Sequence, residues 1–347
     1  MSPRTQPARP PAAPAGRVAL STWKPALMLR AFFIWLSTSR WLRALAERSA
    51  VGQRMSRRFV AGETIEDALA ATRAVNRLGM SVSLDNLGEN VTSPGEARRS
   101  AQLYHQLLDA IAAGELNANV SLKLTHMGLD VDEALARELV SGLVAKAAAQ
   151  QGPGSQDPAR AAFVRVDMEG SAYTQRTLDF VRELHRGLGQ NGKSHAGRVG
   201  AVIQSYLYRS EKDVEQLLAD RIRIRLCKGA YKEPPEIAFQ KKSDVDANYV
   251  RLMKMLLKSG VYHGIATHDP KMIEATIAFA RAEKIPPDAF EFQMLYGIRR
   301  DLQKSLVEQG WRMRVYIPFG TQWYPYFMRR LAERPANVFF LLKNLFR

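Results

Sequence analysis

Lys123, Asp167, Arg225 and Tyr316 each stand near the C-terminal end of a short run in which polar and apolar residues alternate. Further on, Arg329 and Arg330 stand side by side behind the aromatic run of YIPFGTQWYPYFMRR (316–330). A guanidinium offers a planar donor fork that matches a carboxylate in a bidentate way, and a lysine adds a compact charge. Taken alone, the arginine pair reads either as a solvated helix face or as a fork for a carboxylate. Consecutive helical residues project about 100° apart, so both reach one anion only if it wraps around the end of that helix.

The elements that must carry these residues are legible as a rhythm. The β-like runs are MSVSLDN (80–86), NVSLKLT (119–125), FVRVDME (163–169), AVIQSYL (201–207), RIRIRLCK (221–228), GIATHD (264–269), FEFQML (290–295) and RMRVYIPF (312–319). Helical stretches such as EARRSAQLYHQLLDAIAAG and YTQRTLDFVRELHRGL separate them. Eight strands alternating with helices predict a (β/α)8 TIM-type barrel, distorted and preceded by an N-terminal helical arm.

A fully buried parallel strand normally reads as a continuous apolar run, yet several of these alternate. Val120 and Leu122 alternate with Ser121 and Lys123, Val164 and Val166 with Arg165 and Asp167, and Phe290 and Phe292 with Glu291 and Gln293. The apolar set should face the outer helices and the polar set the lumen, opening at the strands' C-terminal ends. Buried charges cost several kcal/mol each unless paired, so the pattern predicts a large polar active site there.

Composition sets the frame. The 347 residues carry a net charge of +16, but residues 1–60 hold eleven Arg and Lys against a single acid, Glu47. The high pI therefore belongs to an arm rather than to the body. Residues 1–20, rich in Pro, Ala and Arg, predict a disordered tail, and 21–62 a basic amphipathic helical arm, either packed on the domain or lying on anionic lipid. The catalytic domain is expected over 63–347. The single cysteine, Cys227, excludes an internal disulfide and reads as a small buried hydrophobe. No stretch approaches the ~20 apolar residues of a membrane span.

Several chemistries compete for such a lumen. The six histidines include no His-x-His pair, so no catalytic metal is expected. A Schiff-base lyase or aldolase would need an activated lysine, for which Lys123 and Lys228 qualify by position, but it leaves Arg225, Arg329 and Arg330 without a role. The basic arm keeps a membrane- or nucleic-acid-binding protein as a further alternative. KGAY (228–231) is a strand-end turn whose glycine permits close approach of a cofactor or simply makes a tight loop.

The motifs LDNLGEN (84–90), VSLKLTHMGLD (120–130), RVDMEGSAYT (165–174), VIQSYL (202–207), RLCKGAYKEP (225–234), ATHD (266–269), FEFQMLYGIR (290–299) and YIPFGTQWYPYFMRRLAERPAN (316–337) occur in this order. Together they resemble the proline dehydrogenase family over about residues 63–340. The resemblance implies a distorted barrel binding FAD non-covalently and oxidising L-proline to (S)-1-pyrroline-5-carboxylate.

The family's roles then fall on residues of this chain. Arg329 and Arg330, with Lys123, would bind the substrate carboxylate. Arg225 would sit beside the flavin ring, Asp167 would orient the cations, and Tyr316 would close over the proline ring; family members preferring hydroxyproline are expected to carry a smaller residue there. Met168, Gln204, Lys228, Gly229, Ala230, Thr267 and His268 match FAD-contacting positions. Glu89 resembles a gating acid after the first strand, and Glu333 can pair with either arginine from the same helical face. The resemblance also implies a membrane quinone as acceptor, no nucleic acid, and a separate pyrroline-5-carboxylate dehydrogenase downstream. The expected location is the cytoplasm, peripheral on the inner membrane face, or the mitochondrial matrix in a eukaryote.

Overall fold

A computed structural model describes residues 49, 52, 56–88, 90–150, 156–187 and 194–333, the side chains of 329–333 excepted. The tail expected at 1–20 and nearly all of the arm expected at 21–62 lie outside the described residues.

Eight parallel strands close into a barrel in sequence order, β1 pairing with β8. They are β1 (Ser81–Asn86), β2 (Ala118–Leu122), β3 (Val164–Val166), β4 (Val199–Gln204), β5 (Arg223–Cys227), β6 (His263–Ala266), β7 (Phe290–Leu295) and β8 (Met313–Phe319). Around them run α1 (Ile65–Asn76), α2 (Pro94–Ala113), α3 (Glu133–Ala149), α4 (Ser171–Arg186), α5 (Ser210–Ala219), α6 (Lys242–Lys258), α7 (Pro270–Ala282), α8 (Arg300–Glu308) and α9 (Trp323–Glu333).

Local chemistry sets the helix starts. Thr64 and Asp67 form a capping box at α1, Ser93 caps α2 with Pro94 following, and Asp269 caps α7 ahead of Pro270. The strands obey the expected alternation. Val82, Leu84, Val120, Leu122, Ile224, Leu226, Phe292 and Val315 are buried in the main apolar core. Burial of this kind contributes about 1.5–3 kcal/mol per large apolar side chain.

Most strands are shorter than the runs predict. The second ends at Leu122, because Thr125–Met127 turn into a 3-10 helix stopped by Gly128 in the left-handed region. The third spans only Val164–Val166, and the fifth begins at Arg223, since Arg221 adopts φ 55° and leaves the ladder. Asp167 and Lys123 therefore lie one residue past their strands, where backbone direction is free to turn toward the axis.

The polar set also differs from the expectation that all of it opens at the mouth. Arg165, Arg223, Glu291 and Arg314 are buried deeper in the lumen. Arg314 Nε donates to Glu291 Oε1 at 2.6 Å and its other nitrogens donate to the carbonyls of Val82 and Ala159. Arg165 Nη1 donates to the carbonyls of Ala201 and Arg223. This layer is a polar plug beneath the site rather than part of it, although Arg165 Nε and Arg223 Nε have no hydrogen-bond partner among the described residues.

The last turn before the barrel belongs to the body. Phe59 and Val60 are buried with Leu87, Ile298, Trp323, Tyr324, Tyr326 and Phe327, and the Ala61 amide donates to Pro318 O at 2.9 Å. Phe59 and Val60, just ahead of the expected boundary at 62, thus pack on the barrel domain.

Candidate active site

The strands' C-terminal ends surround a cavity of about 590 Å³, within the range of small-molecule sites. Lys123, Asp167, Met168, Gln204, Arg225, Lys228, Gly229, Ala230, Thr267, His268 and Tyr316 all line it. Residues from six different strand ends, scattered over nearly 200 positions of sequence, thus converge as the alternation requires.

Arg225 is the hub. Its Nη1 donates to Asp167 Oδ1 at 2.6 Å and to Ser121 Oγ at 3.0 Å. Its Nη2 donates to Ser83 Oγ at 3.2 Å and its Nε to Gln293 Oε1 at 2.5 Å. Ser121 Oγ in turn donates to Asp167 Oδ1 at 2.7 Å. The Tyr316 hydroxyl donates to Asp167 Oδ2 at 2.9 Å, and the Tyr316 ring lies 5.1 Å from the Arg225 guanidinium carbon. Desolvation, then the Asp167 carboxylate, hold the Tyr316 phenol well above its ordinary range, so the hydroxyl remains a donor.

Lys123 reaches the same mouth from beyond β2, its ammonium 3.5 Å from Asp85 Oδ2. Tyr104, buried on α2, donates to Ser121 O at 2.8 Å and to Asp85 Oδ1 at 3.4 Å. Lys228 pairs with Asp246, and with Asp269 Oδ2 at 2.7 Å. Both lysines are thus committed to carboxylates, whereas a Schiff-base lysine is activated by apolar surroundings or a second cation.

One wall is a backbone cradle. Gly229 adopts φ +128°, and a Cβ there would meet the Tyr206 ring at 2.4 Å. Gln204 holds this turn, accepting from the Ala230 amide at 3.2 Å while donating to Glu169 O at 3.1 Å. On the neighbouring wall, just past β6, His268 Nε2 accepts from the Leu295 amide at 2.9 Å, which places the proton of the neutral ring on Nδ1. Cys227, expected as a small buried hydrophobe, packs partly buried against the main core and also lines the cavity. Desolvation pushes its thiol up to about 12, so it offers no thiolate near neutral pH.

Among the other expected residues, Arg329 and Arg330 follow in α9 directly behind the mouth. Their side chains, that of Glu333, and Glu89 altogether lie outside the described residues. In the aromatic run before them Trp323 and Tyr324 pack in the cluster with Phe59, and Tyr326 both packs there and lines the cavity. Sequence reasoning missed Ser83, Asp85, Ser121 and Gln293. Each occupies an inward position of the same alternation, but the alternation does not say which partners an inward side chain meets.

Comparison with known proteins identifies the family. The profile of the proline dehydrogenase family matches residues 68–343. The chain is 41% identical over 319 residues to proline dehydrogenase 1 of Bacillus subtilis (strain 168), spanning 92% of this chain and 99% of that one. Proline dehydrogenase of Deinococcus radiodurans is 42% identical over 311 residues, 87% of this chain and 95% of its own length. Among solved structures, proline utilization A (PutA) from Bdellovibrio bacteriovorus, inactivated by N-propargylglycine, superposes with a TM-score of 0.73 at 26% identity. That match covers 88% of this chain and 36% of the longer PutA chain. The chain belongs to the proline dehydrogenase family, oxidoreductases of proline catabolism.

Proposed function

We propose that this chain oxidises L-proline to (S)-1-pyrroline-5-carboxylate with FAD held non-covalently in the cavity at the barrel mouth. The observation that carries the reading is the Asp167 carboxylate, bound at once by Arg225 and Tyr316 within a cation-rich cavity beside the Gly229 cradle. The residues suit the group: a glycine turn that excludes a side chain admits a planar ring system, and Arg225 supplies a fixed positive charge. Met168, Gln204, Lys228, Ala230, Thr267 and His268 would complete its binding surface. When bound, the flavin supplies a hydride acceptor at N5 for the hydrogen on C5 of proline.

The chain's own residues do the positioning. Lys123 lies at the mouth and, with Arg329 and Arg330, would hold the substrate carboxylate; the fork geometry fixes orientation as well as affinity. Tyr316 would lie over the pyrrolidine ring and restrict what can be carried on it. Asp167 orients both the lid and the hub cation, so a small displacement of it would disturb two contacts together. Glu89 and Glu333 would pair with the arginines and gate entry. Holding the substrate in one pose at a water-poor site is the larger part of the catalytic task.

Electrons would leave to a membrane quinone, and the product would pass to a separate pyrroline-5-carboxylate dehydrogenase. The basic residues 1–60 support peripheral contact with anionic lipid on the inner membrane face. Among the described residues no helix is long and apolar enough to cross a membrane. The barrel domain at 63–347 would carry all the chemistry.

The deciding measurement is the absorbance spectrum of purified protein, before and after anaerobic L-proline. A yellow protein that bleaches on addition supports the reading, and slow inactivation by N-propargylglycine would support it further. Protein that is colourless and takes up no added FAD would end it.

A further inference from the structure

We propose that Gln293 is a positioning residue for the reaction, and that Glu291 beneath it dictates which face of its amide meets Arg225. Gln293 is 4% exposed and Glu291 2% exposed, both on the lumen side of β7. Gln293 Nε2 donates to Glu291 Oε1 at 2.6 Å, and Gln293 Oε1 accepts from Arg225 Nε at 2.5 Å.

A glutamine amide is two-faced, donor on one side and acceptor on the other. Glu291 breaks that ambiguity. Its Oε1 also accepts from Arg314 Nε at 2.6 Å, and its Oε2 accepts from the Tyr262 hydroxyl at 2.9 Å. Burial would raise this carboxyl, but Arg314, Arg223 and the Tyr262 hydroxyl outweigh burial and hold it below the ordinary range. An ionised carboxylate can only accept, so the amide must turn its NH2 downward and its oxygen upward. That oxygen captures Nε of Arg225, while Asp167, Ser121 and Ser83 take the other two nitrogens. The guanidinium is thereby fixed in plane as well as in place.

A second observation is independent of these bonds. In the ladder Gly264 of β6 pairs with Arg225 on one side and Glu291 on the other. A Cβ at Gly264 would lie 2.3 Å from Gln293 Nε2 and 2.7 Å from its Cδ. The barrel wall is therefore bare where the amide crosses it. The polar plug and the site are one bonded column, running from Arg314 through Glu291 and Gln293 to Arg225.

The inference rests on the flavin reading of Arg225 and extends it downward. Gln293→Leu keeps bulk but removes both contacts, and Gly264→Ala retains the amide but displaces it. Each should lower kcat for proline by about ten-fold, the worth of one hydrogen bond to a charged group. KM should move by less than about two-fold, because the carboxylate fork is untouched. The midpoint potential of the bound flavin, followed by spectroelectrochemical titration, should fall in both, since the cation is less firmly held. If Gln293→Leu fails to fold, Gly264→Ala decides alone. Variants that lose thermal stability while keeping wild-type kcat and potential overturn the positioning role. A wild-type protein that binds no flavin overturns instead the reading beneath it.

Discussion

The Tyr316 hydroxyl and the Asp167 carboxylate meet at 2.9 Å across the barrel axis, joining β8 to the residue just beyond β3. The other oxygen of the same carboxylate binds Arg225 at 2.6 Å. One acid thus couples the Tyr316 hydroxyl to the hub cation, and the two cannot move independently. Neither side chain of the Asp167–Arg225 pair exceeds 13% exposure, so removing either partner would leave the other charge largely desolvated and uncompensated.

Asp167→Asn keeps the shape and removes the charge. Arg225 retains Ser83, Ser121 and Gln293 but loses its counterion in a largely desolvated place. The expected cost is about 2–4 kcal/mol of stability. With both the lid and the cation disturbed, kcat/KM for proline should fall by roughly a hundred-fold. Urea denaturation and steady-state turnover check the two halves separately.

At Tyr316 two substitutions dissect two roles. Tyr316→Phe removes only the bond to Asp167, so kcat/KM should fall by about ten-fold at most. Tyr316→Ser also removes the ring over the substrate. It should raise KM for proline and narrow the preference for proline over 4-hydroxyproline. Parallel assays on the two substrates test this, and a preference unchanged in the serine variant removes Tyr316 from the role of lid.

Arg330→Lys preserves charge and discards the fork. A single ammonium can satisfy only one carboxylate oxygen with comparable geometry, so KM for proline should rise by at least about ten-fold with kcat less affected. An unaltered KM would remove this arginine from carboxylate binding.

How far the site could be read from sequence follows from what each residue is asked to do. The barrel and its lumen were legible because period-two alternation in parallel strands has no other economical explanation, as Val120, Leu122 and Phe292 against Ser121, Lys123 and Gln293 illustrate. Which inward residue lies deep and which lies at the mouth was not legible, because depth depends on ladder register. Arg223 and Arg225 read identically in RIRIRLCK, yet Arg223 pairs with Gly200 low in the barrel and Arg225 with Gly264 higher up. Ser83 and Ser121 were missed as site residues for a different reason. A serine becomes part of a site only through what it touches, and Arg225 reaches them from 142 and 104 residues away.

Acid should unfold the protein earlier than its carboxylates alone would suggest. Burial, and then the neighbouring Lys123, push the His126 imidazole from 6.5 down to about 4. A group whose folded pKa is depressed takes its proton more readily when unfolded. Its stabilising contribution is therefore full above about pH 6.5 and is lost as pH falls toward 4. The loss from His126 is on the order of 3 kcal/mol. His263, pushed down to about 3 by burial and by Arg165 and Arg223, extends the decline further. Denaturant midpoints measured between pH 7 and 4 should fall steadily, and His126→Gln should flatten that slope.

Gly229 offers a test of the cradle that separates strain from function. Its φ of +128° disfavours any side chain, and an alanine Cβ would collide with Tyr206 at 2.4 Å. The turn cannot simply slide away, because the Tyr206 amide donates to Lys228 O at 2.9 Å and Gln204 holds the Ala230 amide. Gly229→Ala should therefore cost about 1–3 kcal/mol and shift the turn into the space proposed for the flavin. Gly260→Ala is the matched control: φ is +68° there, but nothing lies within 4 Å of the added carbon. Both variants should lose some thermal stability. Only Gly229→Ala should also lose flavin, seen as a lower ratio of flavin to protein absorbance after purification and a weaker affinity in titration with FAD. Equal flavin content in the two variants would place the cofactor's binding surface elsewhere on the barrel mouth.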